Sequence, residues 1–243
     1  MIILDHVSKS FGDKCILDDV SLEISSGDRI AIIGESGTGK STLLRLLLGL
    51  IEVDSGRIII DDIDITNCSE SELHDVRLKM GMLFQSGALF DSMTVAENIA
   101  FTLIENYGYH MKNIDDQIQL LLSQVDMEGY EDYMPSSLSG GQRKRVGLAR
   151  AIAGQPSYLF YDEPTTGLDP VLSKSIEDLI VNVNSQLHAT TIVVSHQQST
   201  ILRTVDKIYM LYHEKLLDPV YPDRLEDGNP IVRCFIQGEE MPS

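Results

Sequence analysis

The chain has 243 residues, of which 43% are apolar and 23% charged, which is enough to bury a substantial core. Its formal net charge is -18. This acidity argues against a nucleic-acid-binding protein and against unaided adhesion to anionic lipid, because both depend on clustered Lys and Arg. We expect one globular domain, residues 1–243, without a nucleic-acid partner.

Apolar runs and cysteines indicate the compartment. No apolar stretch approaches the roughly 20 residues of a membrane-spanning helix, and the N-terminus lacks the basic start and apolar centre of a secretion signal. Cys15, Cys68 and Cys234 are odd in number and far apart. This pattern favours unpaired, buried thiols in a reducing compartment over a redox or metal site. We therefore expect a cytoplasmic protein.

Strand-like runs separated by turn residues dominate the N-terminal part. A helix beginning at Lys40 interrupts them, and the leucines from Leu43 to Leu50 cover nearly all of its sides, which predicts that the helix is buried. The sequence thus predicts a β-rich N-terminal layer. The predicted strands are Ile2–Val7, Ile16–Ile24, Arg29–Ile33 and Arg57–Ile60.

Later parts of the chain change periodicity twice. The stretch 86–156 carries apolar residues at spacings of three and four, as from Ile118 to Val125, which predicts an inserted helical lobe. Strand-like and helix-like runs then alternate, which favours a parallel sheet with crossover helices. The expected layout is a core of residues 1–85 and 157–220, this lobe, and a tail 221–243. The late runs are Tyr158–Tyr161, Ile176–Leu187, Thr190–Val194, Ile201–Val205 and Ile208–Leu211.

A glycine-rich segment follows the predicted strand Arg29–Ile33 and opens the helix at Lys40. Closely spaced glycines let backbone N–H groups point at a polyanion, and the helix adds its positive end. We expect Lys40 to reach the β and γ phosphates of a nucleotide, Ser41 to ligate Mg²⁺ and Thr42 to support the α phosphate. The alternative is a simple turn with a solvent-facing lysine. The loop comprises Gly34, Glu35, Ser36, Gly37, Thr38, Gly39, Lys40 and Ser41.

Two carboxylates, Asp162 and Glu163, end the apolar run Tyr158–Tyr161. If this strand emerges beside the phosphate loop, Asp162 is placed to hold the Mg²⁺ shell, because this ion prefers oxygen ligands. Glu163 is then placed to polarise or position the water that attacks the γ phosphorus. The alternative is a pair of helix N-capping acids.

The pentapeptide Leu138–Gln142 precedes a predicted helix, Arg143–Ala153, whose N-terminus is available to an anion. Together with the phosphate loop, it resembles the nucleotide-binding subunit of ABC transporters, and this resemblance spans roughly Ile2–Val220. The resemblance implies an α/β fold: a P-loop NTPase (RecA-like) core, an N-terminal antiparallel β layer and an inserted α-helical lobe. It also implies ATP and Mg²⁺ as cofactors and ATP hydrolysis as the activity.

In that family, two copies sandwich two nucleotides across a twofold axis. The resemblance therefore implies a homodimer in which one pentapeptide meets the γ phosphate bound by the other copy. Asp169 matches the residue that crosses this junction, although a turn Asp before Pro explains it equally well locally. The pentapeptide residues assigned to the nucleotide are Ser139, Gly140, Gly141 and Gln142.

Three further residues receive roles from the resemblance alone. Gln85 matches the hinge glutamine that senses Mg²⁺ and the γ phosphate, and His196 matches the switch histidine that contacts this phosphate. Phe11 matches the aromatic residue under the adenine ring. The local alternatives are a surface glutamine, an ordinary histidine at a strand end and a phenylalanine buried in the β layer.

Two segments, Gln85–Val95 and Asn229–Gly238, are similar to the ATPases of Mla or Mce-type lipid transporters. This similarity implies phospholipid movement between bacterial membranes and attachment to the cytoplasmic face of the inner membrane. It implies integral permease subunits, Mce-type lipid-binding subunits and accessory subunits as partners, and a tail that helps to hold two copies together. Gln197 departs from the pattern, since an Asp is common there.

Other readings stay open. The ATPase of another importer, for amino acids, methionine or metals, has the same nucleotide residues. A non-transport ABC protein acting on DNA or ribosomes is a different class, which generally carries paired cassettes, coiled-coil insertions or basic surfaces. The apolar residues Leu89, Phe90, Met93 and Val95 suit either the core or a groove for a short permease helix.

Overall fold

The computed structural model describes residues 1–108 and 114–240. Contacts between residues divide the chain into two units. The first unit consists of residues 1–77 and the chain from Thr190 onward, and the second unit is Leu78–Ala189. Within the described ranges, no helix has the length and apolarity needed to cross a bilayer. The expected division into core, lobe and tail stays a prediction.

The elements are numbered along the chain. The first unit begins with β1 (Ile2–Phe11), β2 (Lys14–Ile24), β3 (Arg29–Ile33), α1 (Lys40–Leu47), β4 (Ser55–Ile60), β5 (Ile63–Asp64) and α2 (Glu70–Arg77). The second unit contains β6 (Met80–Leu83), α3 (Val95–Tyr107), α4 (Ile114–Gln124), α5 (Gly140–Ile152), β7 (Tyr158–Asp162) and α6 (Pro170–Leu187). The first unit then continues with β8 (Thr190–Val194), α7 (Gln198–Thr204), β9 (Lys207–Tyr212), β10 (Lys215–Leu216) and α8 (Pro230–Gln237).

An antiparallel sheet forms one layer of the first unit. Strand β1 lies between β2 and β4, and β5 extends the sheet beyond β4. Gly12, with φ of 59°, makes the tight turn from β1 to β2. Ile2, Leu4 and Val7 are buried and mark the inner face of β1. The predicted N-terminal β layer is thereby confirmed.

Parallel strands form the other sheet of the first unit. Strand β3 pairs in parallel with both β8 and β9, and β10 pairs antiparallel with β9. All five residues of β8 are buried. Such continuous burial is typical of parallel strands that are covered on both faces. The expected parallel strands are confirmed, and they bring the ends of β3 and β8 to the same edge of the sheet.

Helix α1 follows β3 and is buried, as the leucines predict. Its residues Leu43, Leu44, Leu46 and Leu47 are at most 2% exposed. The prediction was wrong for Leu50, which is 54% exposed, because the helix ends at Leu47 and Leu50 lies beyond it.

The second unit is organised around α5. This helix packs against β6, α3, α4 and α6, and β6 pairs in parallel with β7. Gly147 allows the loop after β6 to approach the helix closely: a Cβ atom on this residue would lie 2.9 Å from the Gly87 carbonyl oxygen. The three helices α3, α4 and α5 confirm the predicted helical character of the stretch 86–156.

Two helices begin earlier than the periodicity predicts. Helix α5 starts at Gly140 rather than Arg143, and α6 starts at Pro170 rather than Ile176. In both cases a capping side chain, from Ser139 or Asp169, stabilises a first turn that lacks the apolar pattern. Capping residues therefore extend helices beyond their apolar periodicity.

The three cysteines are free, as expected, but their predicted burial was wrong. Cys15 is exposed, and Cys68 and Cys234 are half-buried. Cys15 pairs with Ser10 beside the β1–β2 turn, at the exposed end of this hairpin. Burial pushes the pKa of the Cys68 thiol above its ordinary value, with smaller contributions from nearby acids, Glu72 first.

The last helix among the described residues is the short helix α8. The Asn229 side chain caps it by accepting a hydrogen bond of 2.9 Å from the Ile231 N–H. Val232 and Ile236 are buried, and the Gln237 amide donates to the Glu226 carboxylate at 3.0 Å. The tail, as far as residue 240, is thus folded within its own chain, and its role between two copies stays a prediction.

Candidate active site

The predicted phosphate loop lies between β3 and α1 in the first unit. Gly34, Gly37 and Gly39 have φ angles of 146°, 82° and 104°. A side chain would strain the backbone in this region, and a Cβ atom on Gly34 would lie only 2.6 Å from the Leu211 carbonyl oxygen. Gly39 directly precedes α1 and offers no side-chain cap, so the N-terminus of the helix faces the loop. The local geometry is that of an anion-binding loop.

Lys40 is the first residue of α1 and is only 9% exposed. Its ammonium group donates hydrogen bonds to the carbonyl oxygens of Gly34 (2.8 Å) and Glu35 (2.7 Å). The alternative of a solvent-facing lysine is therefore wrong. The Lys40 side chain folds back over the loop, with its positive charge beside the carbonyl oxygens of Gly34 and Glu35.

Beside the phosphate loop lies a cavity of about 190 Å³. Its walls come from the start of β2, from the loop residues 35–38 and from the turn after β9. Phe11 pairs with Lys14, which lines this cavity, and is 51% exposed. Its alternative assignment to the interior of the β layer was therefore wrong. Phe11 presents an aromatic surface at the hairpin end of β1 and β2.

His196 follows β8, at the sheet edge to which β3 also leads. It is exposed, and the preceding Ser195 is fully buried. The Ser195 hydroxyl accepts a hydrogen bond of 3.1 Å from the Gln197 N–H, which fixes the turn that presents His196. In the first unit, the structure thus carries the phosphate loop and this histidine on two adjacent parallel strands.

In the second unit, Asp162 is the last residue of β7 and Glu163 follows it. Glu163 has φ of 49°, a left-handed conformation that non-glycine residues seldom adopt. The Thr166 hydroxyl donates a hydrogen bond of 3.0 Å to the Glu163 carboxylate. The alternative of a capping pair is wrong, because the cap of the next helix is Asp169. The two acids lie in a turn that the chain holds in an unusual conformation.

Lys144 stabilises that turn and was not recognised from the sequence. It is 5% exposed, and its ammonium donates to the carbonyl oxygens of Glu163 (3.2 Å), Pro164 (2.6 Å) and Thr166 (2.9 Å). Burial lowers the pKa of Lys144 to about 8, against a smaller opposite effect of the Glu163 charge. The only feature of the sequence that could have indicated its burial is that this lysine stands among the apolar positions of α5.

The pentapeptide forms the start of α5. The Ser139 hydroxyl accepts from the Gln142 N–H at 3.2 Å, and the Gln142 side chain accepts from the Ser139 N–H at 2.8 Å. This reciprocal capping box satisfies two N–H groups at the helix start. Gly141 is buried beneath Leu172, and Gly140 is half-buried. The helix therefore begins with two residues that have no side chains, ahead of 11 further helical residues.

Gln85 is exposed and lies two residues after β6. The same loop is fixed by side-chain hydrogen bonds at Ala88 and Phe90. The Asn98 side chain is fully buried and bonds to the backbone N–H and carbonyl of Phe90 at 2.8 and 3.1 Å. Arg150 of α5 donates to the Ala88 carbonyl at 2.7 Å. The contacts of Asn98 and Arg150 with this loop were also not recognised from the sequence, because only folding brings these residues to it.

Asp169 is exposed and caps α6, accepting from the N–H groups of Val171 (2.9 Å) and Leu172 (3.0 Å). This capping role explains an Asp at position 169 without any contact to a second copy. Val171 beside it is 79% exposed.

The predicted site residues fall into two sets. The first unit contains Phe11, the phosphate loop from Gly34 to Ser41, Thr42 and His196. The second unit brings Asp162, Glu163 and the pentapeptide helix together through Lys144. It also contains Gln85 and Asp169. Oxygen donors for Mg²⁺ are present in both sets, in the Ser41 hydroxyl and the Asp162 carboxylate.

Comparisons with known proteins agree with this geometry. A family model described as "ABC transporter" matches residues 17–166. The "Intermembrane phospholipid transport system ATP-binding protein MlaF" of Escherichia coli K12 is 39% identical over 98% of this chain and 89% of its own. The "Probable ribonucleotide transport ATP-binding protein mkl" of Mycobacterium tuberculosis is 41% identical over 99% of this chain and 67% of its own.

A solved structure has the same fold. It is a dimeric, post-hydrolysis state of the ATP-binding cassette MJ0796 bound to ADP and Pi. It matches 91% of this chain and 99% of its own with a TM-score of 0.83 and 30% sequence identity. The α/β fold of ABC ATPases is thus confirmed, and the chain belongs to the ABC transporter family as an ATP-hydrolysing subunit.

Proposed function

We propose that this chain drives phospholipid trafficking between bacterial membranes by hydrolysing ATP to ADP and phosphate. The observation that carries the proposal is the phosphate loop, with Lys40 folded over it, in a chain 39% identical to MlaF over nearly its full length. The segments Gln85–Val95 and Asn229–Gly238 support the same assignment through their similarity to Mla and Mce-type ATPases.

Residues of the first unit are assigned to nucleotide binding. Lys40 and the loop N–H groups bind the β and γ phosphates, and Thr42 supports the α phosphate. Phe11 stacks on the adenine, since it is exposed and its strand partner Lys14 lines the cavity beside the loop. His196 contacts the γ phosphate from the end of β8.

Residues of the second unit are assigned to hydrolysis. Glu163 positions the attacking water and accepts its proton, and the Thr166 hydroxyl orients the carboxylate. Gln85 senses the γ phosphate. Ser41, Asp162 and Gln85 provide the oxygen donors that Mg²⁺ prefers. When bound, the ion neutralises charge on the phosphate oxygens.

The site is completed, in this proposal, by a second copy of the chain. Cβ atoms on Gly140 and Gly141 would have no neighbour nearer than 3.6 and 3.7 Å, which are ordinary contact distances. Packing within the chain therefore does not require either glycine, although glycine weakens a helix. Close approach of the partner's nucleotide does require them. The dimeric MJ0796 structure and the location of Asp169 beside exposed Val171 support the same interface.

The membrane partner is proposed to bind at the loop 88–94. Val95 belongs to the core, being fully buried, whereas Phe90 is 42% exposed and stacks edge-on against Phe101, itself 41% exposed. Arg150 lies 5.3 Å from the Phe90 ring and holds it in place. An apolar helix of an integral permease suits this surface. Mce-type lipid-binding and accessory subunits complete the assembly on the cytoplasmic face of the inner membrane, with no nucleic acid involved.

Purification from native membranes in mild detergent, with mass spectrometry of proteins and lipids, tests this function. We expect an integral permease, an Mce-type subunit and phospholipid. A competing cargo is ribonucleotide, because the relative mkl, which is 41% identical to this chain, is named as a probable ribonucleotide transport protein. Ribonucleotide or amino-acid-binding partners without lipid would contradict the phospholipid assignment, and ribosome or DNA association without a permease would contradict the transport function.

A further inference from the structure

Lys144 occupies an unusual position for a lysine. It lies in the middle of α5, five residues after Ser139, and only 5% of it is exposed. An ammonium group is costly to bury unless each of its donors finds an acceptor. Lys144 meets this condition, since its three donors have three carbonyl acceptors in the turn after β7. The turn and the helix are thus joined by one buried, fully bonded cation.

The acceptors all belong to the segment that carries Glu163. The carbonyl groups of Glu163, Pro164 and Thr166 converge on one point, which requires a sharply bent backbone. The φ of 49° at Glu163 is part of that bend. A non-glycine residue persists in such a conformation only when its surroundings determine it. The Lys144 ammonium is part of those surroundings, beside the hydrogen bonds from Thr166 to Glu163, and it holds the backbone from which the Glu163 side chain begins.

The same helix starts with the capping box of Ser139 and Gln142. Because Lys144 lies only about 1.4 helical turns beyond this cap, a shift of the helix start also moves the Lys144 side chain. The backbone turn must then follow, since three hydrogen bonds connect it to the ammonium. In this way a contact made by the pentapeptide changes the position of the Glu163 backbone in the same chain.

We propose that Lys144 is a positioning residue that couples the pentapeptide Leu138–Gln142 to the geometry of Glu163. This inference rests on the proposed function, in which Glu163 positions water and the pentapeptide contacts the partner's nucleotide. Lys144 itself touches no reacting atom. Its effect reaches the reaction through the backbone of the turn, so it changes the rate of hydrolysis and not the binding of ATP.

The test uses the full-length chain and the substitution Lys144→Met, which keeps the length of the side chain and removes its donors. We expect kcat to fall about 100-fold, the size of effect that a displacement of about 1 Å has on a catalytic group. The KM and the Kd for Mg²⁺-ATP are expected to stay within about twofold, because no binding contact changes. Lys215→Met, at a lysine of β10 that is 64% exposed, is the matched control and should leave kcat unchanged.

A double-mutant cycle separates positioning from a general structural role. In single-turnover measurements, Lys144→Met should lower the rate in the wild-type background and have no further effect in the Glu163→Gln background. An equal fold-loss in both backgrounds would overturn the proposal. Wild-type kcat in Lys144→Met with an inactive Glu163→Gln would overturn this inference alone, whereas full activity of Glu163→Gln would overturn the proposed role of Glu163.

A second variant serves as the control for loss of folding. Lys144→Gln retains two amide donors and is expected to recover part of the lost rate, about tenfold above Lys144→Met. Circular dichroism and thermal unfolding are measured on both variants. Failure of both to fold at temperatures where the wild type is folded would assign Lys144 to the stability of the core and overturn its positioning role.

Discussion

The Thr166 hydroxyl donates a hydrogen bond of 3.0 Å to Oε2 of Glu163. The Thr166 N–H also donates to the Glu163 carbonyl oxygen, at 3.3 Å. One residue therefore orients the carboxylate and closes the turn beneath it. The short segment Glu163–Thr166 thus contains both the carboxylate and the hydroxyl that orients it.

Glu163→Gln should suppress hydrolysis, because the amide cannot accept a proton from water. A general base contributes roughly 100- to 10,000-fold, so we expect kcat to fall by about that range with ATP binding preserved. Thr166→Val, which removes the orienting hydroxyl, should lower kcat about tenfold. Steady-state phosphate release and equilibrium ATP binding measure both. Normal turnover of Glu163→Gln would refute the assignment.

Lys40→Ala should weaken the binding of Mg²⁺-ATP about 100-fold, because it removes the charge that lies over the phosphate loop. Isothermal titration calorimetry measures the affinity. The comparison variant is Lys215→Ala, which changes an exposed lysine whose ion pair with Asp18 spans 3.5 Å. Unchanged affinity of Lys40→Ala would count against the phosphate-loop interpretation.

Asn98→Ala should destabilise the chain. Asn98 is fully buried, and its amide bonds to the Phe90 backbone and to the carbonyl oxygens of Met93 (3.1 Å) and Thr94 (3.0 Å). Their loss removes the side-chain partners of the Phe90 N–H and the Met93 carbonyl oxygen, which are partly buried, so we expect a decrease of about 2–4 kcal/mol in the free energy of unfolding. Urea denaturation measures it, with exposed Asn182→Ala as the control. Equal stability of the two variants would show that the loop 88–94 does not depend on Asn98.

Gly140→Asp should separate folding from catalysis. A Cβ atom fits at this position, 3.6 Å from Leu168, and an acid in the first turn of a helix stabilises it. The midpoint of thermal unfolding should therefore stay the same or rise. Turnover should fall at least about 100-fold, because the carboxylate repels the partner's γ phosphate. Wild-type turnover would place the pentapeptide outside the catalytic site.

The sequence predicts the phosphate loop and its surroundings well, because the information is local. The strand Arg29–Ile33 and the helix start at Lys40 coincide with β3 and α1. Glycines, a lysine and a hydroxyl at fixed spacing need only the adjacent strand and helix to form the loop. The strand before Asp162 and Glu163 was predictable for the same reason.

Contacts between distant segments were not predictable. Nothing near Lys144 indicates that its acceptors lie about 20 residues away in the turn after β7. Asn98 and Arg150 similarly meet the loop 88–94 only after α3 and α5 have packed. Cys15 was expected to be buried because cysteine usually is, and the sequence alone does not show that its hairpin end is exposed.

The central claim is that a second copy completes the ATP site, and the molar mass of Glu163→Gln tests it most directly. Light scattering on the full chain at saturating Mg²⁺-ATP should give twice the 27.0 kDa of one chain. Adding Gly140→Asp to the same chain should remove the ATP-dependent part of this association. A mass of one chain at saturating Mg²⁺-ATP would contradict the account.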